Sequence, residues 1–176
     1  MIAHKLIQAV LYPDIIFDDK RLMKSGLQPD IIKHLLNFKN CIYNDYTRHF
    51  STDDMPKEIV LFCLEESYAD FASINTAYKA YKHWVQEHGS EDTLPGLAYT
   101  ANQLFWIMSS IHLCYEPTFD HPGKTLQYSK FHEAYKNGIP SYRINGPRKH
   151  SSDFAEDFNC KCHTKMDHLD KCITFA

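Results

Sequence analysis

The sequence predicts a mainly α-helical fold in one domain. Apolar residues recur three and four positions apart along most of the chain, the spacing that places them on one face of a helix. The longest such pattern covers residues 56–88. The 176 residues suit a single compact domain, and 6 Gly with 8 Pro are too few for a disordered chain.

The first two predicted helices are separated by a mixed segment. Residues 1–11 form an amphipathic pattern that Pro13 stops, because proline cannot continue a helix. Residues 14–26 are predicted to be loop with one strand. Pro29-Asp30 begins the second helix, since proline in the first turn followed by an acid is a common start signal. The predicted inner face of this helix is Ile31, Ile32, Leu35, Leu36, Phe38, Cys41 and Ile42.

The third predicted helix is long and the later ones are short. One apolar stripe continues from about Pro56 to His88, and Gly89 ends it. Thr100 is predicted to cap a fourth helix that runs to Cys114. From Tyr115 onward, the pattern predicts a helix only over residues 152–159.

Charge and hydropathy exclude two classes of function. With 19 Lys+Arg against 22 Asp+Glu, the net charge is −3 and no block of like charge stands out, so we expect no nucleic-acid partner. No apolar run approaches the roughly 18–20 residues of a membrane span. The first residues carry His4 and Lys5, and we expect no secretory signal there.

Two pairs of polar residues could form a metal site. His4 and Gln8 lie one turn apart on the first predicted helix, and Glu66 and Asp70 lie one turn apart on the third. A catalytic zinc site of the His, His, Glu kind needs two imidazoles one turn apart, a carboxylate from another element and a second carboxylate as general base. The first His and the distant carboxylate are present. Alone, this spacing is weak evidence, and it favours His4 as an ordinary helix residue over a zinc ligand.

An ordered set of motifs extends over nearly the whole chain. They are the helix around His4, the Glu66-Ser67-Tyr68-Ala69-Asp70 segment, Ala77-Tyr78-Lys79-Ala80-Tyr81, Leu94-Pro95-Gly96-Leu97, Asn102-Gln103-Leu104-Phe105, Tyr142-Arg143-Ile144-Asn145-Gly146-Pro147 and Phe158-Asn159-Cys160. In this order they resemble the C-terminal catalytic part of the neprilysin and endothelin-converting-enzyme family of zinc metallopeptidases. The resemblance implies the helical half of a thermolysin-related zincin domain over residues 1–176. It also implies that the family's N-terminal region is absent from this chain and that the chain is a fragment.

The resemblance assigns roles to individual residues. His4 matches the first zinc ligand and Glu66 the third. Asp70 matches the carboxylate that orients a ligand histidine. Arg143 matches the arginine that holds the substrate's carbonyl oxygen, a role that its fixed fork of donors suits.

The departures from the family pattern fall on the catalytic machinery. Lys5 replaces the general base, and Gln8 replaces the second His ligand, so we expect weak or absent zinc binding. The family's oxyanion-stabilising His falls near Asn137. An alternative for the polar cluster is that Lys5 forms an ion pair with Glu66 or Asp70.

Three functions follow from this pattern. We expect a domain without peptidase activity that acts by binding a peptide or protein. The alternatives are an active zinc endopeptidase with an altered metal site and a truncated fragment without function. The resemblance further implies a secreted or membrane-anchored ectodomain.

The six cysteines permit two interpretations. The resemblance pairs Cys41 with Cys172, places the family partners of Cys114 and Cys160 outside this chain, and leaves Cys63 and Cys162 as additional thiols. A competing interpretation takes the tail as a small structural zinc site, although its spacing is unusual. Its ligands would come from Cys160-Lys161-Cys162-His163, His168 and Cys172.

Overall fold

The computed structural model describes residues 2–11, 29–50, 56–114 and 140–172. The predicted mainly α class is confirmed, since β pairing in these ranges is limited to one isolated bridge between Thr164 and Asp167. The predicted loop and strand over residues 14–26 lie outside the described residues. The helices are α1 (Ile2–Leu11), α2 (Pro29–His49), α3 (Lys57–His88), α4 (Ala101–Met108), a 3₁₀ turn (Ile111–Leu113), α5 (Pro140–Lys149) and α6 (Ser152–Asp157).

Helix α3 is the element against which α1, α2 and α5 pack. Its 32 residues extend for about 48 Å. The helix begins after Pro56 and ends at Gly89, whose backbone N–H donates to the carbonyl of Val85. Gly89 has φ +86°, a left-handed conformation that glycine adopts without steric cost. The predicted bounds of this helix are therefore confirmed.

The buried faces of α1 and α2 differ from the predicted ones. On α1, Ile2 and Leu6 are exposed, whereas His4 is buried together with Leu11. On α2, the predicted inner residues Ile31, Ile32 and Leu36 are 41–54% exposed, and the buried face is Leu35, Phe38, Ile42, Asp45 and Tyr46. Helix α2 also continues seven residues beyond the predicted face, to His49. On α1 the difference arises because Glu66 and Asp70 of α3 bind His4. On α2 the buried face includes Asp45, which pairs with Lys149 and Tyr142.

Helix α4 starts as predicted and ends early. The hydroxyl of Thr100 accepts from the N–H of Gln103 and the Gln103 side chain accepts from the N–H of Thr100, which is a complete capping box. The helix stops at Met108 rather than Cys114. Here Ser109 Oγ donates to the carbonyl of Trp106 at 2.7 Å, and Ser110 Oγ donates to that of Ile107 at 2.9 Å. Serine hydroxyls that satisfy these carbonyls compete with continued helix formation.

Helix α5 was not predicted from the sequence. It contains Gly146 and Pro147, both poor helix formers, so propensity alone argues against it. Tertiary packing outweighs propensity here, because Tyr142, Gly146 and Pro147 are buried on α3. A Cβ on Gly146 would lie 2.9 Å from Cε2 of Phe71, so only glycine permits this close approach. The prediction that residues after Tyr115 contain a helix only over 152–159 was therefore wrong.

A buried ion cluster joins α2 to the end of α5. The Asp45 carboxylate is fully buried, and its Oδ2 lies 2.7 Å from Lys149 Nζ and accepts from Tyr142 Oη at 2.8 Å. His150 Nε2 lies 3.5 Å from the same oxygen. Burial alone would raise the pKa of Asp45, but these three contacts outweigh it and hold the pKa well below its usual range. Asp45 is therefore ionised and paired at neutral pH.

The side chain of Asp157 joins α3, α4 and α6. Its Oδ2 accepts from Tyr78 Oη and, at 2.7 Å, from Trp106 Nε1, and its Oδ1 accepts from Asn102 Nδ2 at 3.0 Å. Tyr78 and Trp106 form an aromatic cluster with Phe154. One carboxylate thus satisfies the polar atoms of two buried aromatic rings.

A disulfide links Cys41 on α2 to Cys172 near the end of the chain, with Cα atoms 5.6 Å apart. This confirms the pairing implied by the family resemblance. It also makes the competing zinc site in the tail wrong as proposed, because Cys172 has no thiolate to offer.

None of the helices in the described part of the chain combines the length and apolar character of a membrane span.

We predict that removal of the Cys41–Cys172 bridge strongly destabilises the fold. The bridge closes a loop with a sequence separation of 131 residues, and restriction of the unfolded chain contributes about 4–5 kcal/mol for such a loop. The double variant Cys41→Ala/Cys172→Ala should lose about that much unfolding free energy in urea titration. The exposed Cys114→Ala is the matched control and should change it by less than about 0.5 kcal/mol. Detection of Cys41 and Cys172 as thiols in a non-reduced digest of folded protein would contradict the pairing.

We predict that Asp157→Ala lowers the unfolding free energy by roughly 2–4 kcal/mol, because it leaves the Tyr78 hydroxyl and the Trp106 indole N–H without their acceptor. Circular dichroism in denaturant measures the change. Glu156→Ala removes an adjacent exposed carboxylate from the same helix and should be nearly neutral. Equal effects of the two substitutions would show that the hydrogen bonds contribute nothing specific.

Candidate active site

The structure brings together His4 of α1 with Glu66 and Asp70 of α3. His4 is 8% exposed and Glu66 9%. His4 Nδ1 donates to Asp70 Oδ1 at 2.7 Å, which is the histidine-orienting contact expected of Asp70. Its Nε2 lies 3.3 Å from Glu66 Oε2, in a direction that forms no aligned hydrogen bond. The i, i+4 spacing of the two carboxylates places both beside one imidazole.

Arg143 of α5 closes this cluster from the other side. Its Nε lies 2.5 Å from Asp70 Oδ2, and its Nη2 lies 3.1 Å from both Asp70 Oδ1 and Glu66 Oε2. The guanidinium therefore contacts both carboxylates of α3. Its fork holds acidic side chains of this chain, and its role in holding a substrate carbonyl stays a prediction.

Gln8 and Lys5 complete the cluster on the α1 side. Gln8 Nε2 donates to Glu66 Oε1 at 2.9 Å, and Gln8 Oε1 accepts from Lys5 Nζ at 2.8 Å. These two contacts fix the orientation of the amide, with its oxygen directed to the exposed Lys5. The alternative in which Lys5 itself pairs with Glu66 or Asp70 was wrong, because the described ion pairs to those carboxylates come from His4 and Arg143.

The cluster favours a protonated His4. Its hydrogen bond to Asp70, assisted by the Glu66 carboxylate and opposed by burial, raises the pKa of His4 to about 9. The contact with His4, assisted by Arg143 and opposed by burial, lowers the pKa of Glu66 to about 2. At neutral pH two cations, His4 and Arg143, therefore face two anions, Glu66 and Asp70, and the four charges sum to zero.

The donor set at this cluster does not fit a catalytic zinc site. Such a site takes three protein ligands and leaves one position for water. His4 Nε2 is buried without a hydrogen-bond partner and Glu66 Oε2 is beside it, which makes two suitable donor atoms. The third position belongs to Gln8, whose NH₂ group faces Glu66, and Arg143 already contacts the same Glu66 oxygen.

Asn137, predicted to take the oxyanion-stabilising position, lies outside the described residues.

The structure also contains a group of candidate metal donors that was not predicted. Within the described residues, the one group of three candidate metal donors with ligand atoms within 4.8 Å of each other is Asp45, His150 and His168. There the ammonium of Lys149 already pairs with Asp45, and His150 Nδ1 accepts from the backbone N–H of Cys172 at 3.0 Å. This arrangement is an internally neutralised ion cluster.

A cleft of about 230 Å³ opens beside the His4 cluster. His4, Asp70 and Arg143 form one wall, and Arg148 and His112 contribute to the remainder. Sequence reasoning missed Arg148 and His112. No spacing signal could have found them, because the cleft joins four segments, 3–4, 70–77, 105–113 and 143–148, that are separated by 28 to 66 positions in the chain.

Arg148 is buried to 7% exposure, with neutral oxygen atoms as its partners. Nη2 donates to the carbonyl of Trp106 at 2.6 Å and to the hydroxyls of Ser109 and Ser110 at 2.8 and 3.1 Å. Nη1 donates to the carbonyl of Ile144. Burial lowers the pKa of Arg148 to about 10, so the group stays charged at neutral pH.

Comparison with known proteins decides the family. The model of peptidase family M13 matches residues 1–173. The chain belongs to this family. M13 proteins are zinc metallopeptidases that include neprilysin and the endothelin-converting enzymes. His4, Glu66 and Asp70 thus lie within the part of the chain that the family model matches.

Individual relatives agree with this assignment. Neprilysin-2 of Drosophila melanogaster is 29% identical over 163 residues, which cover 89% of this chain and 19% of the relative. Endothelin-converting enzyme 1 of Mus musculus is 32% identical over 111 residues, covering 62% of this chain and 13% of the relative. Endothelin-converting enzyme-like 1 of Homo sapiens is 31% identical over 109 residues, with 62% and 13% coverage. The M13 chain described here spans less than a fifth of these relatives' lengths.

We predict that the contribution of His4 to stability depends on pH in the alkaline range. Because the folded-state pKa is raised from 6.5 to about 9, this contribution is complete below about pH 6.5 and is lost as the pH rises through 9. The difference in unfolding free energy between the unmodified chain and His4→Gln should shrink by up to about 3 kcal/mol over that interval. Urea titrations at several pH values measure it.

The control for this experiment is His83→Gln, which removes an exposed histidine from α3 that faces Glu87 at 3.6 Å. The difference in unfolding free energy between this variant and the unmodified chain should stay nearly constant over the same pH interval. A constant difference for His4→Gln as well would contradict the protonated state of His4.

Proposed function

We propose that this M13 domain does not hydrolyse peptide bonds and acts by binding a peptide or protein ligand. The observation that carries the proposal is the closed charge cluster, in which His4 and Arg143 together neutralise Glu66 and Asp70. The elements that hydrolysis requires, a carboxylate base and a third metal ligand, are replaced by Lys5 and Gln8.

Charge explains why Lys5 cannot serve as the base. A general base must accept a proton from water, and a carboxylate in that position does so as an anion. An exposed ammonium has no lone pair to accept the proton. Its contact with Gln8 Oε1 also draws the amide oxygen away from Glu66. Zinc is therefore not a resident cofactor in this proposal.

The cleft beside the charge cluster supports the proposal of peptide binding. The cleft keeps polar and apolar walls, a combination typical of ligand sites. The family's ectodomain location is consistent with a long-range disulfide, because such bonds persist in oxidising compartments. We therefore place the protein outside the cytoplasm, with a peptide or protein as its partner.

One observation favours the alternative of an active zinc endopeptidase. His4 Nε2 is buried, lacks a hydrogen-bond partner and faces Glu66 Oε2. A metal ion could engage both atoms if Arg143 moved away from Glu66. This alternative requires zinc to remain bound during dialysis against a chelator, which two protein ligands do not achieve.

The proposal predicts no turnover and no retained zinc. Purified chain should leave peptides with a hydrophobic residue after the scissile bond intact, with or without added zinc, as judged by mass spectrometry. Its metal content after dialysis should be far below one zinc per chain. Chelator-sensitive cleavage by the pure protein would reject the proposal in favour of the endopeptidase.

A reversion experiment tests the equivalence of the helices. Lys5→Glu/Gln8→His should restore zinc binding that calorimetry detects, because His4, Glu66 and Asp70 already lie together. The matched control is Lys33→Glu/His34→Gln on α2, which alters an exposed pair outside the cluster and should bind no zinc. Failure of the reverted site to bind would mean that α1 does not occupy the family's zinc-helix position.

A further inference from the structure

Arg148 is a buried cation on the cleft beside the His4 cluster, and no carboxylate contacts it. Arg143 on the same cleft contacts both Glu66 and Asp70. Within the described ranges, by contrast, no carboxylate lies within 4.0 Å of the Arg148 guanidinium. Asp70 acts on Arg148 only from a longer distance.

A buried charge held by neutral acceptors is an unfavourable arrangement. Four oxygen atoms, those of Trp106, Ser109, Ser110 and Ile144, hold the Arg148 guanidinium in place. They orient the group but supply no opposite charge, and a buried ion without a counter-ion is costly. A bound carboxylate would reduce this cost, because it would supply the missing negative charge and accept from the N–H groups that the four oxygens leave free.

The rest of the cleft limits the kind of anion. Its wall also contains Ile74, Ala77, Phe105, Leu113 and Pro147, which are apolar. An inorganic ion would leave these side chains facing water, whereas an amino-acid residue places its chain against them. The volume of about 230 Å³ suits one or two residues of a peptide.

We infer that this cleft recognises a carboxylate of a peptide ligand through Arg148, with the apolar wall holding the neighbouring part of the peptide. The inference rests on the proposed peptide-binding function and adds the ligand's chemistry. The carboxylate can belong to an aspartate or glutamate side chain or to the peptide's C-terminus. Both sources present the same group to Arg148.

The test compares three pentapeptides with the unmodified chain by calorimetry. They are acetyl-Ala-Phe-Glu-Ala-Ala-amide, its Gln counterpart, and the Gln counterpart with a free C-terminal carboxylate. At least one of the two carboxylate peptides should bind about tenfold or more tightly than the neutral peptide. The peptide that gains affinity identifies the source of the carboxylate.

Two arginine variants assign the effect to a residue. Arg148→Gln should remove the preference for the carboxylate peptide. Arg48→Gln changes net charge equally at an exposed site on α2 and should keep it. If Arg148→Gln fails to melt cooperatively, Arg148→Lys replaces it, and a preference reduced severalfold is expected because an ammonium has three N–H donors where the guanidinium has five.

The results distinguish carboxylate recognition by Arg148 from the more general proposal of peptide binding. Equal affinity of all three peptides, unaffected by Arg148→Gln, would overturn carboxylate recognition and leave peptide binding in place. Absence of binding by every peptide would overturn both. A carboxylate preference that survives loss of the Arg148 guanidinium would also reject the assignment to Arg148.

Discussion

The buried Glu66 and the partly buried Asp70 of α3 determine how the helices around them are arranged. Glu66 and Asp70 lie one turn apart, and their burial is tolerated only because cations are brought to them. α1 supplies His4 and α5 supplies Arg143, so the two helices meet across α3 at the carboxylates of Glu66 and Asp70. This explains why α1 keeps Ile2 and Leu6 in solvent while its histidine is buried. The Arg143 contact adds to the packing of Tyr142 and Gly146 that stabilises α5.

The charges of this cluster link the zinc chemistry of the family to the proposed loss of peptide hydrolysis in this chain. In an M13 enzyme the metal supplies positive charge between a histidine and a carboxylate. In this chain a proton on His4 and the Arg143 guanidinium provide positive charge around the same carboxylates. The remaining ligand residues thus have a structural reason to persist without hydrolysis. Lys5 and Gln8 then add one hydrogen-bonded link between α1 and Glu66.

Local signals in the sequence predicted the long helix, the Thr100 cap and the membership of the family. Each depends on residues close together in the chain or on an ordered set of motifs. Helix α5 could not be found in this way, because its stability comes from contacts with Phe71 and Asp45, which are about 70 and 100 residues away. The exposed Ile31, Ile32 and Leu36 misled the prediction for α2, since periodicity cannot tell which apolar face finds a partner. The sequence did not indicate Arg148 either, because its partners Trp106, Ser109 and Ser110 lie at the end of α4, far from it in the chain.

The bridge between Cys41 and Cys172 has a consequence for the order of events in biosynthesis. Cys41 leaves the ribosome long before its partner, and Cys63 follows it after only 22 residues. Closure of that short loop costs less entropy than closure of the native one, so proximity along the chain favours the wrong pair. Burial of Cys63 in α3, at 1% exposure, removes this competitor once α3 has packed. Packing of α3 therefore favours the native pair, and disulfide exchange is the reaction that would convert an early Cys41–Cys63 pair into it.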